Sequence, residues 1–71
     1  MNKLQRLYEA GVEFELNAFS YCERPYVIWC VSKSGFTFDG GEEQTLERAI
    51  DAIWAAAREA YPDAECFKDS E

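Results

Sequence analysis

The side chains able to carry covalent or acid–base chemistry are three cysteines, three lysines and fourteen Asp and Glu residues, and there is no histidine. Without imidazole a nucleophilic triad needs a lysine or a carboxylate as its base. Lys3 and Lys68 lie near the termini and Lys33 in a turn, so no such triad assembles in the sequence. Cys30 sits in an apolar run, where a thiol behaves as a small inert hydrophobe, and Cys22 has only Arg24 nearby as an activating group. Carboxylates are abundant enough for chance pairs, so their number defines no glycosidase-like dyad. The expectation is a protein that is not an enzyme.

Metal and phosphate chemistry fare no better. The odd set Cys22, Cys30 and Cys66 is widely spaced and holds no Cys-x-x-Cys, so a zinc site would need three scattered thiols and a carboxylate. Phe38-Asp39-Gly40-Gly41-Glu42-Glu43 lacks the alternating ligands of an EF-hand loop. Its glycines are followed by two acids, which repel an anion, and so read as a turn rather than a phosphate cradle. No metal and no cofactor are expected.

Widely spaced thiols fit the reduced state, and Met1-Asn2-Lys3-Leu4-Gln5-Arg6 opens directly into an amphipathic pattern with no apolar core of a signal peptide. The expected location is cytoplasmic. The longest apolar run, Tyr26 to Val31, is far short of the roughly 20 residues of a transmembrane helix, so no membrane association is expected.

The net charge of −7 is unevenly placed. The first 35 residues balance, whereas from Phe36 to Glu71 ten acids face only Arg48, Arg58 and Lys68. Nucleic-acid binding depends on clustered Lys and Arg at the phosphates, so direct binding is disfavoured and a protein partner with a basic surface is expected.

The elements that must position these groups follow from periodicity. A chain of 71 residues has room for one core, and we read it as a single domain, 1–71, with an acidic, partly flexible tail at 63–71 whose Cys66 and Phe67 are able to dock on the core. Asn2 caps a helix over Lys3–Ala10 that Gly11 ends. Val12–Phe19 alternates as a strand with one buried face, Ser20–Pro25 is a loop, and Tyr26–Val31 is apolar at both parities, as in a central strand. Lys33-Ser34-Gly35 makes a tight turn, Phe36–Phe38 a short strand, and Asp39-Gly40-Gly41 a second turn. Thr45 caps a helix over Leu46–Ala60, with Pro62 beyond its end. The predicted fold is α+β, in the order α-β-β-β-α, with a three-stranded antiparallel sheet and two helices on one face.

Two helices cover one face of such a sheet, yet the central strand offers Val27, Trp29 and Val31 to one side and Tyr26, Ile28 and Cys30 to the other. Glu13, Glu15 and Lys33 flank the surplus, which is either a modest patch, a seat for Cys66 and Phe67, or an interface. Tyr26, Ile28 and Trp29 are the candidate residues for a dimer or hydrophobic interface. Ala52, Ala55 and Ala56 lie opposite the helix's apolar stripe and form a second candidate contact strip.

Gly40-Gly41-Glu42-Glu43-Gln44-Thr45-Leu46-Glu47-Arg48-Ala49-Ile50, following a hairpin, resembles the hairpin-to-helix junction of HicB-like antitoxin domains, which implies a strand-to-helix packing unit and no particular function. The element order is similar to that of double-stranded RNA-binding domains, but acids replace the lysine cluster such domains use on phosphates. In size and acidity the chain is similar to small phage and mobile-element proteins, including anti-CRISPR and anti-restriction inhibitors, which implies carboxylates presented in place of nucleic-acid phosphates.

The expected function is therefore non-enzymatic macromolecule binding, of the phage-type inhibitor kind, through an acidic face turned to a basic partner such as a nucleic-acid-handling complex. Glu42, Glu43, Glu47 and Asp51, supported by Asp63 and Glu65, are the candidate residues of that face. The alternative is a structural or regulatory homodimer joined through the open sheet face.

Overall fold

A computed structural model describes residues 3–19 and 23–68, in the order α1 (Lys3–Glu9), β1 (Glu13–Phe19), β2 (Tyr26–Lys33), β3 (Phe36–Glu43), α2 (Leu46–Ala60) and α3 (Glu65–Lys68). The strands form one antiparallel sheet in the order β1-β2-β3, so the fold is α+β as the periodicity predicts. The predicted cap at Asn2 and the loop residues Ser20, Tyr21 and Cys22 lie outside the described residues.

The chain turns where local chemistry dictates. Gly11 adopts φ 83°, Val12 N–H donates to the Leu7 carbonyl at 3.0 Å and Gly11 N–H to the Tyr8 carbonyl at 3.1 Å. That pair of bonds is a Schellman motif, and its usual apolar contact falls to Leu7 and Val12, both buried. Between β2 and β3, Ser34 (φ 57°) and Gly35 (φ 83°) are both left-handed, as a two-residue type I′ hairpin requires. Thr45 caps α2 by accepting the Arg48 N–H at 3.1 Å.

The course of β3 differs from the expectation, and the tail gains an element. Asp39-Gly40-Gly41 is not a turn: β3 runs on through all three residues to Glu43. Trp29 on β2 explains this, because a Cβ at Gly41 would stand 3.2 Å from its Nε1, so glycine is what lets the strand lie beside the indole. The tail carries a third helix, α3, that the sequence pattern does not show, and its Cys66 and Phe67 dock in the core as the sequence allows. Phe67 meets Trp54 of α2 edge-on at 4.9 Å between centroids.

The core lies between the sheet and the helices. Val27, Trp29 and Val31 of β2 face Ala49, Ile53, Ala56, Ala57 and Ala60 of α2, with Leu7 and Phe67 closing the ends. Ala56 is buried and Ala52 half-buried, so the small-residue strip of α2 is largely part of its packed side: alanine there lets helix and sheet approach closely. The shortest dimension, 16 Å between Cα atoms, accommodates one helical layer on one sheet layer and no third.

Candidate functional site

The other face of the sheet is open. Antiparallel register places Glu13 beside Ser32, Glu15 beside Cys30, Asn17 beside Ile28 and Phe19 beside Tyr26. On the far side of β2, Gly40 stands next to Cys30 and Glu42 next to Ile28. Side chains directly opposite one another share a face, so these residues form one surface. A bulge between Val31 and Ser32 leaves Phe38 as the extra residue of β3, and alternation from Glu42 and Gly40 brings it to the same side.

This surface has an apolar middle and acidic borders. Ile28, at the centre of the central strand, is 41% exposed and Phe38 47% exposed. Phe19 and Tyr26 stack at 4.9 Å at one end. Glu15 receives the Cys30 thiol at 3.9 Å. Glu13 and Glu15 edge the strip on β1 and Glu42 on β3, and among the described residues no Lys or Arg occupies a register position on this face. At the Tyr26 end the surface runs into a hollow of about 400 Å³ lined by Arg24, Pro25, Tyr26, Glu42 and Gln44.

Lys3, Arg6 and Lys33 are on the covered side, where they pin the helices, while Arg24 lines the hollow at the Tyr26 end. Lys3 pairs with Asp51 of α2 at 2.8 Å, and both Lys3 and Arg6 lie over the Trp54 ring. Arg6 donates to the Cys66 carbonyl at 2.9 Å and thereby ties α1 to α3. Lys33 donates to the Ala60 carbonyl at 2.7 Å and lies over the Tyr61 ring, at the negative end of α2. Its predicted place on the flank of the open strip is thus corrected. Burial pushes the Cys66 thiol above its ordinary value, with Arg6 opposing the shift.

The predicted site residues separate accordingly. Tyr26 and Ile28 lie on the open face; Trp29, grouped with them in the sequence, faces the helices, buried, its indole N–H donating to Glu43 at 3.4 Å. Glu42 and Glu43, being neighbours on a strand, point to opposite sides of the sheet. Glu47 and Asp51 share one helix face, four residues apart, and Lys3 neutralises Asp51. Asp63 and Glu65 are exposed at the turn before α3 and on its first residue. The six acids thus do not converge on one surface. From the sequence, Glu13 and Glu15 have only a flanking role, and Phe19 and Phe38 do not stand out. The strict alternation of β1 was the signal for the first three.

Among the described residues no three Cys, Asp or Glu side chains converge as a metal ion would require. No helix among them is long and apolar enough to cross a membrane. Compared with known proteins, the chain matches no family model, no curated protein and no solved structure.

Proposed function

We propose that this chain is a non-catalytic protein-binding domain that seats a basic surface of a partner protein on the open face of its sheet. One observation carries the reading: Ile28, in the middle of the central strand, is 41% exposed and bordered by carboxylates on both neighbouring strands with no base in register among them. Apolar area in the middle supplies burial on contact, and the unbalanced charge selects partners of opposite sign. Proteins that handle nucleic acids carry such basic surfaces to hold phosphates, so a partner of that class fits the charge.

Self-association through the same face is disfavoured. Two copies placed face to face bring Glu13, Glu15 and Glu42 of each into one interface with no compensating cation in register on the described strands, and like charges desolvated together cost several kcal/mol. A helix-borne acidic site is weaker too, since Lys3 occupies Asp51.

Capture from host cells, run in parallel with the wild type, a face variant (Glu15→Lys with Glu42→Lys) and a helix variant (Glu47→Lys), tests the reading. The wild type and the helix variant should retain the same basic protein, released by raised salt, and the face variant should lose it. Retention by the face variant, or a stable dimer of the wild type in sedimentation at micromolar concentration, overturns it.

A further inference from the structure

We infer that the occupant of the open face is an amphipathic helix of the partner, about three and a half turns long, with an apolar stripe flanked on both sides by Lys or Arg. The inference rests on the reading of this face as the docking surface and specifies what fits it.

Length and width both point to a helix. Tyr26, Ile28, Cys30 and Ser32 run along β2 over six residue steps, roughly 20 Å, which about 13 residues of helix match. The outer strands lie about 10 Å apart across the face, close to the 10–12 Å diameter of one helix with its side chains. The covered face already solves the same packing problem in this way, with the 15 residues of α2 laid against Val27, Trp29 and Val31.

Charge sets the pattern on that helix. An apolar stripe seated over Tyr26, Ile28 and Cys30 brings the residues at its margins over Glu13 and Glu15 on one side and Glu42 on the other. Lys and Arg suit those margins, because their aliphatic stems lie along apolar surface while the charged ends reach the carboxylates. Strand addition at a sheet edge is the competing mode: at β3 it is obstructed, because the Asp39 carboxylate accepts the Gly40 N–H at 2.8 Å and the bulge breaks the regular edge, and at β1 it would leave the apolar middle of the face uncovered.

Backbone shift mapping by NMR with three peptides tests the inference on the intact chain. The first is a 16-residue helical peptide with Leu at i, i+4, i+7 and i+11 and Arg at the flanking positions; the second has the same composition in scrambled order; the third alternates Leu and Arg as a strand. The helical peptide should shift Glu13, Glu15, Asn17, Ile28 and Glu42 and gain helicity on binding. The other two, and the helical peptide on Glu15→Lys or Ile28→Asp, should bind at least about tenfold more weakly, a difference of about 1.4 kcal/mol. Equal or tighter binding of the alternating peptide on the same residues overturns the helical occupant and leaves the basic-partner reading standing. If no basic peptide shifts this face, or all of them gather on the acids of α2, both readings fall.

Discussion

The indole of Trp29 occupies the space that a side chain at Gly41 would need: a Cβ there would meet Nε1 at 3.2 Å and Cζ2 at 3.3 Å. The ring cannot retreat, because it is buried in the core and its N–H is held by Glu43. This fit lets β3 lie against β2 beside the indole, and it is β3 that brings Glu42 and Phe38 to the open face.

Gly41→Ala should therefore destabilise the fold by about 1–3 kcal/mol, the usual cost of overpacking. Urea denaturation followed by tryptophan fluorescence reads this directly. Phe36→Ala on the same strand, with its ring 77% exposed, should change stability by less than about 0.5 kcal/mol.

Removing the ring of Phe67 tests whether α3 belongs to the fold. The side chain is 6% exposed and packs edge-on against Trp54, so Phe67→Ala should cost about 3 kcal/mol or more. In a chain of 71 residues that is a large share of total stability, and the variant should show a lowered unfolding midpoint with Trp54 more exposed to quenchers.

The buried Cys66 thiol gives stability a pH dependence of fixed sign. Burial raises its folded-state value, so the folded chain holds the proton after the unfolded chain has lost it. The thiol's contribution is fully present below the unfolded value, about 8.5, and is lost as pH rises through the higher folded value. Relative to Cys66→Ala, the wild type should lose stability as pH is raised from about 8 to about 10. A stability difference independent of pH over that window would contradict the assignment.

Much of this was legible in the sequence because the signals were local. The alternation of β1, the Gly11 helix end, the Ser34-Gly35 hairpin and the Thr45 cap each depend on a few adjacent residues whose conformational preferences agree. Gly40-Gly41 misled, since paired glycines favour turns and only the non-local indole of Trp29 makes them strand residues. A four-residue helix such as α3 is too short for a period to register. The choice of face was hidden for a different reason: β2 is apolar at both parities, and only its register with the alternating β1 decides that Val27, Trp29 and Val31 go inward. That same register gathers Glu13, Glu15 and Glu42 around Ile28, a grouping drawn from three strands that no linear spacing displays.

The central claim is that Ile28 and its carboxylate neighbours serve a partner and not the fold. Its most direct test is the affinity of the captured partner for Ile28→Ala relative to the wild type, with both proteins brought through the same urea titration. Affinity should fall by about tenfold or more while the unfolding free energy falls by no more than about 1 kcal/mol, the usual cost of alanine in a strand. Undiminished affinity, or a loss of stability of the size expected for a core residue, would contradict the account.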